Sequence, residues 1–206
     1  MNQVLPPRLH RYTSIPVLFD MLQNNRLFLS NPENWTDKTD VHFLKEYAKG
    51  KEVRALCFFK NDETNLIWER YAEKGCKITF NTELLLKSIN KNSFEYDNVI
   101  YEEQKNFKYE THKNKLLALK QLRYENEQEF RIVWTGEKEK KEGTFIKVNP
   151  KSIERIIISG DIPENLAKSL IKAIHTITSN TFDKKVFYSW LYNNKVWKNQ
   201  TSNHRR

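Results

Sequence analysis

Over ten positions, Glu125-Asn-Glu-Gln-Glu-Phe-Arg-Ile-Val-Trp134 alternates charged and apolar side chains, and few local structures accommodate that pattern. In an extended strand successive side chains point to opposite faces. Glu125, Glu127, Glu129 and Arg131 then share one side, while Phe130, Ile132 and Trp134 cover the other. The spacing predicts a strand over 127–134 with a core face and a polar face. Three like charges in sequence repel and are poor strand formers. Two readings stand: the solvated face of a half-buried antiparallel strand, or charges kept for a site.

At 206 residues the chain is long enough for one sizeable domain spanning 1–206. Only five Gly are present, and no glycine motif that cradles phosphate can be found. The formal charge of +9 favours an acidic partner, DNA or RNA first, although a solubilising surface explains it equally well. Lys138, Lys140 and Lys141 cluster in one expected loop, and Lys195, Lys198, Arg205 and Arg206 gather near the C-terminus. No apolar run reads as a signal or a membrane span, so a cytoplasmic protein is expected. Cys57 and Cys76 lack a CxxC spacing and read as buried, reduced residues. The histidines are isolated from cysteines and from one another, so no metal site is expected.

Along the chain, strands are predicted at 9–12, 27–29, 53–59, 76–80, 95–101, 143–148, 153–159 and 185–190. Helices are predicted after Ser14 (with Val17, Leu18, Met21 and Leu22 inward), after Thr36 or Asp37, through Ile67 to Tyr71, at 83–89, at 106–122, and through Leu166, Leu170, Ile174 and Ile177. Residues 137–142 read as a hairpin connection. The elements mix without regular alternation, which predicts an α+β domain of mainly antiparallel short strands.

Four motifs in order carry a family resemblance: His10-Arg-Tyr-Thr-Ser14; Leu27-Phe-Leu-Ser-Asn-Pro32 followed by Asp37; Leu56-Cys-Phe-Phe59 with Ile67-Trp-Glu-Arg-Tyr-Ala72; and Glu127-Gln-Glu-Phe-Arg131. Together they resemble a widespread bacterial and phage family of domains of unknown function, over Leu9 to about Ile158. Where that family reads Asn-Asp-Pro, this chain has Thr36-Asp37-Lys38. The first motif is also similar to the opening of the DNA-modifying ADP-ribosyltransferases called DarT, and Glu127-Gln-Glu129 is similar to the Glu-x-Glu or Gln-x-Glu strand of other ADP-ribosyltransferases.

The resemblance implies an ADP-ribosyltransferase-like fold, NAD as substrate, and a toxin or phage-defence role. It further implies Glu129 as the catalytic carboxylate, Glu127 as the group that orients the nucleophile or takes its proton, and His10, Tyr12 and Thr13 at the NAD pocket. Trp68 and Tyr71 are three apart on a helix and either stack on a ring or pack in the core. Arg131 either binds a diphosphate or pairs with Glu129. Two other functions are weighed: a non-catalytic nucleic-acid-binding module, and a metal-dependent nuclease using the same carboxylates.

Overall fold

Two strands organise the fold: Glu52–Phe59 and Glu129–Gly136 pair antiparallel over their full length, with Glu52 opposite Gly136 and Phe59 opposite Glu129. The computed structural model describes residues 4–61, 63–89, 94–137, 145–179, 181–182 and 185–189. In chain order the elements are β1 (Arg8–Thr13), α1 (Ile15–Asn24), β2 (Arg26–Phe28), α2 (Lys38–Ala48), β3 (Glu52–Phe59), α3 (Asn65–Tyr71), β4 (Cys76–Asn81), α4 (Thr82–Lys87), β5 (Phe94–Asn98), β6 (Ile100–Glu102), α5 (Tyr109–His112), β7 (Leu119–Gln121), β8 (Glu129–Gly136), β9 (Phe145–Lys147), β10 (Ile153–Ile158), α6 (Glu164–Ile177) and β11 (Val186–Tyr188). This is a mixed α+β arrangement, mainly antiparallel, as the sequence predicts. The pairs β6–β7 and β10–β11 are parallel.

The chain divides into two compact units. The first comprises Met1–Arg11, Asn25–Asp62 and Phe80–Ser152, and the second Tyr12–Asn24, Glu63–Thr79 and Ile153–Arg206. In the first unit the strands run β1-β3-β8-β5, and β2–β9 and β6–β7 form separate two-stranded ribbons. Leu44 and Ala48 of α2 pack on Val53 and Ala55 of β3, Val133 of β8, Leu117 and Ala118. Helix α2 starts where it does because the Asp37 side chain accepts hydrogen bonds from the Thr39 and Asp40 N–H groups, at 3.0 and 3.3 Å. It stops where Lys49 turns left-handed and Gly50 follows at φ 84°. Replacing Asp37 with Ala will cost about 1 kcal/mol, read as a lower urea midpoint with an unchanged slope.

The second unit holds α1, α3, β10, α6 and β11. Its core includes Trp68, whose ring meets Tyr12 edge-on at 5.2 Å. The Trp68 indole N–H donates to Glu63. Ser159 N–H and hydroxyl bond the carbonyls of Gly75 and Glu73, respectively.

Several sequence expectations are corrected. The helix predicted over 106–122 is replaced by short turns, the four-residue α5 and the strand β7. Leu116, Leu117, Ala118 and Leu119 are all buried. Four consecutive apolar residues cannot share one helical stripe, so the segment abandons the helix to bury them all. The strand predicted over 95–101 splits into β5 and β6, which belong to different sheets. Residues 138–144, which hold most of the predicted hairpin connection, lie outside the described residues; the strands on either side pair elsewhere, β8 with β3 and β5 and β9 with β2. Val17, Leu166 and Ile177 face outward, whereas Ala167 and Ile174 supply the buried positions of α6. The basic clusters at 138–141 and 195–206, and Trp190 at the end of the last predicted strand, lie outside the described residues. Among the described residues no helix is long and apolar enough to cross a membrane.

Candidate active site

β8 is flanked by β3 and β5, and it is buried on both faces rather than one. Phe130 and Ile132 are 0% exposed on one side, Glu129 is 2% and Arg131 0% exposed on the other. The polar face predicted from the alternation is therefore not solvated. Glu125 and Glu127 are also not on the strand. They lie in a 3-10 turn over Leu122–Glu127, and Gln128, left-handed at φ 44°, separates that turn from β8. The two glutamates of the Glu-x-Glu motif thus arrive from two elements.

They still meet, through Lys120. Its ammonium lies 2.5 Å from Glu127 Oε2, 3.0 Å from Glu129 Oε2 and 3.9 Å from Asp40 Oδ2. Arg131 donates from Nε to Glu129 Oε1 at 2.8 Å, and its two terminal nitrogens grip Asp40 at 2.7 and 2.8 Å. Arg131 also donates to the Leu117 carbonyl at 3.2 Å. Of the two readings of Arg131, pairing with Glu129 is the one observed. A guanidinium 0% exposed with this many partners has little left for a diphosphate.

Three carboxylates (Asp40, Glu127, Glu129) against two cations (Lys120, Arg131) leave one net negative charge when all are ionised. Burial raises the Glu129 pKa, but Arg131 and Lys120 outweigh it and hold the carboxyl at about 2. Burial has the upper hand at Asp40, which is raised despite Arg131. The Cys57 thiol is pushed up by burial and by Glu129, so it stays a thiol. Glu129 therefore contributes stability that is present above about pH 4.5 and lost as pH falls toward 2. Asp40 acts in the opposite sense, its burial cost easing as it protonates. Urea unfolding between pH 6 and 2 is expected to show a steep loss below 4.5 that is flattened in Glu129→Gln.

His10, Phe59 and Glu129 stand in one row across β1, β3 and β8, since His10 is opposite Phe59 and Phe59 is opposite Glu129. Directly paired residues project to the same face, so His10 and Glu129 share it, about 10 Å apart at two strand spacings. His10 is buried. Tyr12, Thr13, Trp68 and Tyr71 belong to the second unit. There Trp68 is 1% exposed in the core while Tyr71 is 36% exposed, so the two do not form one stacking face. Arg70 lies over the Tyr71 ring at 5.5 Å.

No family model matches the chain, and no curated protein matches it. Among solved structures it is similar to Thermus sp. 2.9 DarT in complex with carba-NAD+, at 9% identity and a TM-score of 0.42, covering 90% of this chain and 96% of that one.

Asp40 and Lys120 are the members of the cluster that the motifs do not include. Asp40 has the signal of an acid one turn inside a helix already capped by Asp37. Lys120 ends the apolar run Leu116–Leu119, where a lone cation calls for a buried partner. A cluster of this kind offers a fixed, ionised carboxylate in a dry setting, suited to stabilising positive charge as it develops.

Proposed function

We propose that the chain is an NAD-consuming ADP-ribosyltransferase that modifies a macromolecule, with nucleic acid as the acceptor and a toxin or phage-defence role. The observation that supports this reading is that Glu129 stands in one row with His10 across β1, β3 and β8, with Arg131 and Lys120 on its carboxylate. In the reaction the C1′–nitrogen bond to nicotinamide breaks, and nicotinamide leaves neutral with its electron pair. The acceptor atom bonds to C1′ and gives up one proton. The ribose passes through an oxocarbenium-like state. Glu129 stabilises that cation, with one of its four lone pairs left beyond its bonds to Arg131, Lys120 and the Cys57 thiol. Glu127 orients the acceptor, and His10 contacts the NAD.

Purified protein incubated with NAD and single-stranded nucleic acid or cell extract is expected to release nicotinamide. Absence of both nicotinamide release and calorimetric NAD binding would sink the proposal.

A second reading, a non-catalytic nucleic-acid-binding module, is favoured by the β2–β9 ribbon. Arg26 is opposite Lys147 and Phe28 opposite Phe145, with the Arg26 guanidinium 4.1 Å over the Phe145 ring and Phe28 44% exposed. Cations beside exposed rings suit phosphates and stacked bases. Salt-sensitive oligonucleotide binding that survives Glu129→Gln but not Phe28→Ala with Phe145→Ala would favour this reading. The nuclease reading is the weakest, because the nearest partners of these carboxylates are Lys120 and Arg131. Among the described residues no group of three or more His, Cys, Asp or Glu is arranged to hold a metal.

A further inference from the structure

The two cations of the buried cluster are built into it differently. Arg131 is on β8, committed to Asp40, Glu129 and the Leu117 carbonyl. Lys120 is on the three-residue β7, which among the described residues pairs only with β6, in a short parallel ladder. An ammonium has three donors, and here three carboxylates surround it, from three separate elements: Asp40 on α2, Glu127 on the 3-10 turn and Glu129 on β8. Tyr101, the register partner of Lys120 across the β6–β7 pair, accepts a hydrogen bond from the Glu129 backbone N–H at 2.7 Å. The β6–β7 ribbon therefore grips Glu129 twice, at the backbone through Tyr101 and at the carboxylate through Lys120. Lys120 also lines a pocket of about 280 Å³ with Thr39, Phe43, Glu102, Phe107 and Gln121.

We infer that Lys120 is a positioning residue for the proposed transfer, fixing the Glu127 and Glu129 carboxylates relative to each other although one comes from a 3-10 turn and the other from a strand. This rests on the ADP-ribosyltransferase reading and adds a residue to it that the motifs do not contain. The backbone keeps Glu127 and Glu129 two residues apart but, with Gln128 left-handed between them, does not aim their carboxylates at one point. The shared ammonium does. The other charged and titratable groups around it are Asp40, Cys57, Arg131 and Tyr101, with the Tyr124 ring 5.0 Å from the ammonium. Without Lys120, three carboxylates face Arg131 alone, and their mutual repulsion both spreads them and favours protonation of one.

Steady-state nicotinamide release from NAD, followed from pH 2.5 to 8 at the points where circular dichroism shows the fold intact, tests this with Lys120→Met, Lys120→Gln and Lys120→Arg. Lys120→Met is expected to lower kcat about 100-fold with KM changed little, and to move the acid limb of the profile upward by about one pH unit or more. Lys120→Arg keeps a cation in place and should recover at least part of kcat and return the acid limb toward the wild-type position. A structural role alone would not move the acid limb. If Lys120→Met does not fold, the Gln and Arg variants carry the same comparison. An active wild type with kcat and acid limb unchanged in the variants overturns the role of Lys120 alone. A wild type that releases no nicotinamide overturns the transferase reading, and this inference with it.

Discussion

Arg131→Met is expected to destabilise the protein by about 3–5 kcal/mol, the cost of breaking a buried ion pair by removing one partner. The side chain is 0% exposed, and its loss strands Asp40, which lies 2.7 Å from the guanidinium and is itself 2% exposed. Lys120, at 3.9 Å from Asp40, is too far and too occupied to replace it. The Leu117 carbonyl loses a donor as well. Arg131→Lys should recover only part of the loss, because an ammonium cannot make the two-pronged contact with Asp40. Urea unfolding followed by circular dichroism measures the difference. A loss under about 1 kcal/mol would mean that the cluster is solvated and that the burial argument is wrong. A double-mutant cycle with Asp40→Ala isolates the pair, and a coupling of several tenths of a kcal/mol or less would place these residues among independent sites.

The second large effect concerns chemistry. Glu129→Gln is expected to reduce nicotinamide release by about 10²- to 10³-fold, the size expected when one well-placed electrostatic group is removed. Gln has nearly the same shape, so the change removes charge rather than volume. One side of the amide still accepts from Arg131, while its NH₂ turns toward the Lys120 ammonium, where Glu129 Oε2 now lies at 3.0 Å. Lys120 keeps Glu127 and Asp40, which limits the structural damage. A folded Glu129→Gln protein with undiminished turnover would remove Glu129 from the mechanism. Glu127→Gln separates the two roles: acceptor modification should fall more than hydrolysis of NAD by water.

Much of the fold is legible from particular residues. Asp37 announces α2 because a short polar side chain ahead of an apolar-periodic run satisfies N–H groups that the first turn leaves open, and the structure shows Thr64 and Asn81 doing the same for α3 and α4. β3, β4 and β10 are legible as short, mostly apolar runs. The segment after Asn106 is not, since its lysines mimic the exposed face of an amphipathic helix. One of them, Lys120, is in fact 8% exposed, an ion partner rather than a solvated charge. Sequence spacing also places Glu127 and Glu129 on one strand face, and only the left-handed Gln128 reveals otherwise. The pairings of Asp40 with Arg131 and of Lys120 with Glu127 and Glu129 join residues brought together by tertiary structure, which periodicity does not report.

The contrast between β8 and the β6–β7 ribbon has a kinetic consequence. β8 exchanges ladder bonds on both sides, with eight partners on β3 and five on β5, whereas β6 and β7 share three residue pairs. Local opening draws on the least cross-linked backbone first. Arg131 and Asp40 should then move only when the whole unit opens, while Lys120 and Tyr101 can breathe on a faster clock. One half of the charge cluster is anchored to the slowest part of the unit and the other half to one of its quickest.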